Sequence, residues 1–320
     1  MFGIVKKKQF GIIINPVAAN NRKDPAAVVR RYEKIAGMAK PPMWITSRLD
    51  DIYPIAEEFK AGGMKYLLLS GGNGTFHHVI SRFKTVYQGG ELPPVLMLKS
   101  GHMDTIADTI NLAGNDIDIL ERFMRALRRG RGITLLRRNL IKIEDTYCTM
   151  FGAGGLVAQF MNHYYKMGEY TPQNALEVLT RFMTLARDAS SREAREIFRP
   201  FKSTIAIDGR AFPKKEILAC VGVTIPGIGL GFTPGSRVLE QSGRFQFICT
   251  ALSPIDFATQ IFRFYGGKKI EGPNHFDDLA ESVVISSKDP FEYTMDGEMY
   301  HAIYELRIAA SRTGVNLVHV

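Results

Sequence analysis

Short apolar runs alternate with amphipathic stretches along the first part of the chain. The apolar runs predict buried strands at residues 9–15, 43–46, 66–70 and 94–98. Between them, apolar residues recur at three- and four-residue spacing, which predicts helices at residues 24–36, 50–61, 76–83 and 116–129. Repeated strand–helix units are typical of a parallel sheet with helices on both faces. Residues 1–130 are therefore expected to form an α/β domain.

The pattern changes after about residue 131, where short strand-like runs follow one another closely. They lie at residues 134–138, 140–144, 147–151, 203–207, 216–223, 245–250, 282–286 and 303–309. Asp208-Gly209 is a two-residue hairpin signal. Helical stretches interrupt the runs at residues 155–165, 173–190 and 256–265. Residues 131–320 are thus expected to form a mostly antiparallel β-sandwich domain with inserted helices, whose last residues could pack back on the first domain.

Polar or glycine-rich segments lie at or just after the ends of four predicted strands. They are Asn15, Thr46, the loop 71–75 and the loop 101–105. Ligands bind beyond the carboxyl ends of parallel strands, so these segments could line one crevice. The loop 71–75 (GGNGT) joins a strand to a helix, where backbone amides can approach a phosphate and the helix dipole favours its charge. A tight turn without a ligand is the alternative interpretation.

Charge and composition limit the classes of partner and compartment. The net charge is +9, and basic residues concentrate at residues 6–8 and 125–138. No nucleic-acid motif accompanies them, so ATP and an anionic lipid surface are favoured over DNA or RNA, with ordinary solvated charge as the alternative. The apolar runs are too short for a membrane span, and the first residues do not resemble a secretory signal, so a cytoplasmic protein is expected. Cys148, Cys220 and Cys249 lie in apolar runs and predict reduced, buried thiols without a metal site.

Six segments, in order, resemble the diacylglycerol kinase and sphingosine kinase catalytic-domain family, which includes soluble bacterial lipid kinases. These segments are GIIINPVAANNR, LLLSGGNGTFHHV, PPVLMLKSGHMDTIA, FGAGGLVAQF, PGIGLGFTPGS and TMDGEMY. The resemblance covers almost the whole chain. It implies an ATP-binding first domain and a β-rich second domain that helps to hold a lipid, whose hydroxyl accepts the γ-phosphoryl group with the help of Mg²⁺.

The resemblance also assigns roles to individual residues. The nucleotide-binding positions are Asn15, Thr46, Gly71, Gly72, Asn73, Gly74 and Thr75, with Gly101, His102 and Asp104 in the second glycine loop. Glu298 falls on the proton acceptor of the family's Asp-Gly-Glu motif, and Asp296 would support it or orient a metal-bound water. A solvated hairpin turn is the alternative for that motif. The expected acceptor is diacylglycerol, a sphingoid base, ceramide or a related lipid at an anionic membrane surface, reached from the cytoplasmic side. Whether the protein forms a homodimer is left undecided by the sequence.

Several positions depart from the family pattern. Asn73 replaces an aspartate, His78 a glutamate and His102 a threonine, while Asp104 stands where asparagine is usual. Asp104 is hypothesised to return the carboxylate that Asn73 lacks. Ser242 replaces a metal-binding aspartate, so the structural Mg²⁺ site of some relatives is expected to be absent. Because of these departures, the chain could also be a degenerate relative that binds nucleotide or lipid as a regulatory module. An NAD kinase, which shares the first glycine loop, is disfavoured.

Two further groups of residues have competing interpretations. His77 and His78 point about 100° apart on a helix, so they are not expected to share a metal ion, although His77 could approach a phosphate. The aromatic stretch 160–170, with Phe182 and Met183, could line an acyl-chain pocket. Packing of a helix on the core of the second domain is the favoured alternative.

Overall fold

The computed structural model describes residues 9–188 and 190–320, which form two compact units. Of the described residues, the first unit contains residues 9–138 together with Thr313–Val320, and the second contains those within Asn139–Arg312. The basic residues predicted at positions 6–8 lie outside the described residues. None of the helices in the described part of the chain is long and apolar enough to cross a membrane.

The elements follow one another in chain order. Up to residue 138 they are β1 (Phe10–Ile14), α1 (Pro25–Ala36), β2 (Met43–Ile45), α2 (Ile52–Gly62), β3 (Tyr66–Gly71), α3 (Asn73–Val86), β4 (Val95–Lys99), α4 (Thr105–Asp108), α5 (Asp116–Arg129) and β5 (Thr134–Arg138). Short 3₁₀ turns occupy Gly37–Ala39, Leu49–Asp51 and Ile261–Gly266.

The remaining elements are mainly strands. They are β6 (Ile141–Ile143), β7 (Thr146–Cys148), β8 (Met150–Ala153), α6 (Gly155–Lys166), α7 (Pro172–Leu185), α8 (Arg192–Ile197), β9 (Phe201–Lys202), β10 (Thr204–Ile207), β11 (Arg210–Ala211), β12 (Glu216–Ile217), β13 (Ala219–Val223), β14 (Phe245–Thr250), α9 (Pro254–Gln260), β15 (His275–Ala280), β16 (Ser282–Met295), β17 (Glu298–Ala310) and β18 (Val315–His319). The helix predicted at 173–190 ends at Leu185, and Ser191 caps a separate helix.

The first unit has a six-stranded sheet in the order β2-β1-β3-β4-β18-β5. Its first five strands pair in parallel, and β5 is antiparallel to β18. Strand β1 is buried throughout, and β3 and β4 are buried except at Tyr66 and Lys99, as their apolar runs predict. The α/β class is confirmed. The unit ends at Arg138 rather than near residue 130, because β5 hydrogen-bonds to β18 and so belongs to this sheet.

Local signals place the helix ends of the first unit. Asp24 accepts a hydrogen bond from Ala27 N at 2.8 Å at the start of α1, and Pro25 follows at the first helical position. Asn115 caps α5 in a reciprocal arrangement with Asp118. Gly130 ends α5 with a φ of 64°, a left-handed conformation that glycine adopts without strain.

The second unit is built on antiparallel pairing. Ten strands form one continuous sheet, in which β15-β14-β13-β8-β16-β17-β6-β7 are neighbours and β10 pairs with β16 and β11, while β9 and β12 form a separate pair. Buried aromatic and aliphatic side chains, Phe151, Phe245 and Phe247 among them, make its core. The predicted antiparallel class with inserted helices is confirmed. The Asp208-Gly209 turn also joins two strands, β10 and β11, as predicted.

The three cysteines are free and buried in the sheet of the second unit. Cys220 lies opposite Cys249 on neighbouring strands, with 3.7 Å between the sulfur atoms. Burial raises the pKa of the Cys148 and Cys220 thiols, so both stay protonated and unreactive. The prediction of reduced, interior thiols is confirmed.

Candidate functional site

A buried hydrogen-bond network joins the loops beyond the carboxyl ends of β1, β3 and β4. Ser70 Oγ lies 3.0 Å from Asn21 Nδ2, 3.1 Å from Ser100 Oγ and 3.0 Å from the Tyr32 hydroxyl. Asn21 Nδ2 also donates to the Asn15 carbonyl at 2.8 Å. Asn21, Ser70 and Ser100 are inaccessible to solvent. The network therefore holds the predicted ligand-binding edge in place without help from a ligand.

The first glycine loop is folded around the Thr75 side chain. Asn15 Nδ2 donates to Thr75 Oγ1 at 2.8 Å, which links the end of β1 to the start of α3. A Cβ atom on Gly71 would lie 2.2 Å from Thr75 Oγ1, so only glycine fits at this position. The first backbone bond of α3 runs from Phe76 N to Gly72 O. The amides of residues 73–75 therefore have no acceptor inside the helix and are suited to an anionic group.

The second glycine loop packs directly on the first. A Cβ atom on Gly101 would lie 2.6 Å from Gly72 Cα and 2.9 Å from Asp104 Oδ1, and one on Gly72 would lie 3.0 Å from Gly101 Cα. The close contact between the two loops therefore requires glycine at both positions, 72 and 101. The structure brings the two predicted loops together at one edge of the sheet.

Asn73 and Asp104 both lie at this contact between the loops. Asn73 Oδ1 accepts a hydrogen bond from Ile106 N at 3.3 Å, so the amide caps the short helix α4. Asp104 Oδ1 accepts from Gly101 N at 3.1 Å, and a Cβ on Gly72 would lie 3.7 Å from the same oxygen. Burial raises the pKa of Asp104 to about 6. A carboxylate therefore stands beside the glycine loop, although Asn73 does not supply it.

The other residues singled out from the sequence of the first unit are a threonine and three histidines. Thr46 follows β2 and donates its backbone N–H to Ile14 O at 3.2 Å, and His102 is exposed on the second loop. The ring of His77 is completely buried, which leaves no surface for a phosphate and does not support that hypothesis. Burial lowers the pKa of His78 to about 4, so its ring is neutral at physiological pH.

Glu298 begins β17, directly after a tight turn in the second unit. Met295 pairs with Glu298 across the hairpin, and Asp296 and Gly297 form the turn with φ values of 47° and 91°. The Tyr165 hydroxyl donates to the Gly297 carbonyl. Glu298 is exposed, yet partial desolvation raises the pKa of its carboxyl above the usual value. The hairpin thus presents one accessible carboxylate of increased basicity.

Asp296 points the other way, into the second unit. Its carboxylate accepts hydrogen bonds from Thr149 N and Met150 N, and Thr149 Oγ1 donates to Oδ1 at 2.6 Å. These bonds fasten the turn to the start of β8. Asp296 is 6% exposed, and burial raises its pKa to about 7. Its observed contacts are those of a residue that positions the hairpin, which differs from the predicted role beside a metal-bound water.

The titration of Asp296 is expected to affect stability. Its folded pKa lies above the usual aspartate value, so the folded protein retains a proton that the unfolded chain releases. The stabilising contribution is complete below pH 4 and is lost as the pH rises to about 7, with a slope of up to ~1.4 kcal/mol per pH unit.

The measurement is urea unfolding of the natural chain and of Asp296→Asn between pH 4 and 8. The advantage of the natural chain over the variant should shrink as the pH rises through this range. A constant difference would mean that Asp296 does not titrate there.

The remaining sequence hypotheses concern the second unit. Phe160 and Phe182 pack edge to face at 6.1 Å, and Phe182 is buried. Contacts of this kind between α6 and α7 favour helix packing over an open acyl-chain pocket at Phe182. Ser242 lies in an exposed turn that Asn139 binds through the carbonyls of Gln241 and Arg244. Within residues 9–188 and 190–320, no three His, Cys, Asp or Glu side chains are grouped so that they could hold a metal ion.

Sequence reasoning missed the supporting residues of both units. Ser70 and Ser100 each lie at the carboxyl end of an apolar run, and this shared position is a signal that identifies them. Asn21 lies within the first resembling segment, but no local pattern distinguishes it. The sequence predicts Tyr165 on a helix and gives no sign of its bond to Gly297, because that contact joins residues far apart in sequence.

Comparisons with known proteins show the fold. No protein-family profile matches the sequence, and no curated protein sequence gives a significant match. Three solved structures from Bacillus anthracis str. Sterne resemble the chain over its length. One, provisionally named a diacylglycerol kinase, has a TM-score of 0.73 and 16% identity and covers 100% of this chain and 98% of its own. A second with the same provisional name has a TM-score of 0.67 and 14% identity, and a third, named a diacylglycerol kinase, has 0.63 and 15%; each covers 98% of both chains.

Proposed function

We propose that the chain is an ATP-dependent lipid kinase. It would transfer the γ-phosphoryl group to a hydroxyl of diacylglycerol, a sphingoid base, ceramide or a related membrane lipid. The contact between Gly72 and Gly101 carries the proposal, because it lies beside the amides at the start of α3 that have no acceptor inside the helix. An exposed carboxylate on the hairpin of the second unit and the names of the structural neighbours support it.

The residues of the first unit fit the phosphates of ATP. Gly71, Gly72 and Gly101 let the two loops pack closely at the start of α3, since side chains at these positions would clash with the loops themselves. The amides of residues 73–75 would donate to phosphate oxygens. Asp104 is the carboxylate that would hold Mg²⁺, and Asn73 would hold α4 against the loop. When bound together with ATP, the ion would neutralise negative charge on the phosphoryl group that is transferred.

Glu298 would accept the proton of the lipid hydroxyl. Partial desolvation raises the pKa of Glu298, and a carboxylate with a raised pKa is a better base than an ordinary glutamate. Tyr165 and Tyr300 lie close enough for the charge of Glu298 to raise the pKa of both phenols, after burial as the main cause. The two tyrosine side chains would shape the environment of the Glu298 carboxylate, and the hydrogen bonds of Asp296 would hold the hairpin in position.

The direct test uses ATP labelled in its γ-phosphate and a total lipid extract in mixed micelles. The proposed function requires that label appear in a lipid fraction only when protein and Mg²⁺ are both present. Mass spectrometry of the labelled fraction identifies the acceptor. The proposal is wrong if ATP binds and no lipid of the extract is labelled.

ATP binding without labelling of any lipid would favour a regulatory module that binds nucleotide or lipid without turnover. One observation supports this candidate: the Asn73 amide and the Asp296 carboxylate both serve structural hydrogen bonds. Calorimetric titration with ATP, run beside the labelling assay, separates the two functions.

The contacts of Asn73 and Asp104 predict the result of exchanging them. In the double variant Asn73→Asp, Asp104→Asn, a carboxylate would still accept from Ile106 N and an amide oxygen would still accept from Gly101 N. Turnover should stay within about tenfold of the natural chain, because one carboxylate remains beside the loop. Asp104→Asn alone should lose more, on the order of a hundredfold.

The comparison is made on lipid labelling rates at saturating ATP. Equal losses in the single and the double variant would show that the carboxylate cannot act from position 73. In that case the hypothesis of an exchanged carboxylate fails, although the kinase proposal does not.

A further inference from the structure

Four arginine side chains converge on one cavity at the C-terminal end of α5. The cavity has a volume of about 360 Å³ and is lined by Arg122, Arg125, Ala126, Arg129, Arg131 and Gly132. All of these residues belong to the first unit. None is among the residues assigned above to the nucleotide or to the proton transfer.

The local sequence explains why the arginines meet. Arg122, Arg125 and Arg129 follow at three- and four-residue spacing and so lie along one face of α5. Gly130 then reverses the chain, and Arg131 N donates to Ala126 O at 3.3 Å, which returns the fourth arginine to the same face. The two other lining residues, Ala126 and Gly132, are small. Their lack of bulk leaves the space between the guanidinium groups open.

The positive charge of this cavity is only partly compensated. Glu121 approaches Arg125 at 3.7 Å, but no described residue forms an ion pair with Arg129 or Arg131. Arg122 is held through Nε by the Val320 oxygen at 3.1 Å and also donates to the Ala113 carbonyl. The C-terminal end of a helix attracts cations, which accounts for one or two basic residues in its last turn. It does not account for four guanidinium groups around a concave space, where like charges repel.

We infer that this cavity is a binding site for a phosphate group. Guanidinium groups match phosphate with paired hydrogen bonds, and the volume is that of a small-ligand pocket. No aromatic residue lines it, so a nucleobase has no surface on which to stack, and a nucleotide or single-stranded nucleic acid is disfavoured. The phosphate could belong to the headgroup of an anionic phospholipid or to a free phosphate ion. The inference is independent of the proposed kinase activity.

The test measures binding with two probes, in ~0.15 M salt so that weak long-range attraction is screened. Calorimetric titration uses inorganic phosphate, and co-sedimentation uses vesicles of phosphatidylglycerol with phosphatidylcholine vesicles as the neutral comparison. The double variant Arg129→Gln, Arg131→Gln should bind at least one anionic probe ten or more times more weakly than the natural chain. A loss on vesicles identifies a lipid headgroup, and a loss confined to inorganic phosphate identifies a soluble ligand.

Two control variants separate a built site from general surface charge. Arg31→Gln with Lys65→Gln removes the same charge from exposed positions of the first unit and should change binding less than about twofold. Glu121→Gln removes the carboxylate beside Arg125 and should strengthen binding. The inference is overturned if the natural chain binds neither probe, if the Arg129/Arg131 variant binds both as the natural chain does, or if the control pair weakens binding equally.

Discussion

Replacing Glu298 with glutamine is expected to lower the rate of lipid phosphorylation by ~10²–10⁴. The amide keeps the shape of the side chain but cannot accept a proton from the lipid hydroxyl. ATP affinity should not change, because the proposed nucleotide residues all lie in the first unit. The measurement is lipid labelling at saturating ATP, together with calorimetric titration of ATP.

A second glutamate on the same strand provides the matched control. Glu305 also lies on β17, is exposed, and pairs with Arg307 at 2.6 Å. Glu305→Gln should keep most of the activity. If Glu298→Gln retains more than about a tenth of the natural rate, another group accepts the proton and the assignment of Glu298 is wrong.

The pH dependence of the reaction gives an independent reading of the same residue. A protonated carboxyl cannot accept a proton, so the rate should fall as the pH drops through the pKa of Glu298. Because desolvation raises this pKa, the fall should begin at a higher pH than for a solvated glutamate. In Glu298→Gln this acidic limb should disappear from the residual rate.

Substitutions of the two acidic residues of the hairpin are expected to affect different properties of the protein. Asp296 is fastened to Thr149 and Met150, so Asp296→Asn should reduce both stability and turnover. Glu298 makes no comparable interior contacts, so its replacement should reduce turnover alone. Base and anchor are separated because Asp296 lies inside the two-residue turn, whereas Glu298 is the first residue of the strand that follows it.

The fold was largely predictable from local patterns. Strands β1, β3 and β4 are continuous apolar runs because both faces of a parallel sheet are covered, and the glycines at 71, 72 and 101 mark the points where backbones must pass closely. The end of the first unit was not predictable in this way. Strand β5 joins the first sheet through β18, which lies almost two hundred residues later, and no local pattern records that pairing.

The meeting of the two glycine loops was predictable, whereas the contacts of the candidate side chains were not. The resemblance placed Asp296 in an acidic pair, but only the structure shows that Thr149 and Met150 occupy its oxygens. Similarly, the chemistry of Asn73 shows that it lacks a charge, while its bond to Ile106 shows what the amide does instead. Side-chain roles that depend on partners distant in sequence require the folded chain.

Replacing Gly101 with alanine is expected to weaken ATP binding at least tenfold. The added methyl group would lie 2.6 Å from Gly72 Cα and 2.9 Å from Asp104 Oδ1, and a backbone atom cannot give way as a flexible side chain can. The two glycine loops would therefore separate, and both the amides at the start of α3 and the Asp104 carboxylate would shift. Overpacking of this kind should also reduce the free energy of unfolding by ~1–3 kcal/mol.

The measurement is calorimetric titration with a non-hydrolysable ATP analogue and Mg²⁺, beside urea unfolding of each variant. Gly62→Ala is the matched control: it lies at the end of α2, where a new Cβ would meet only Met64, at the ordinary distance of 3.6 Å. Its ATP affinity should be that of the natural chain, and its stability equal or slightly higher because alanine favours the helix. If Gly101→Ala binds the analogue as tightly as Gly62→Ala does, the contact between the loops does not form the phosphate site. The nucleotide would then have to bind elsewhere on the first unit.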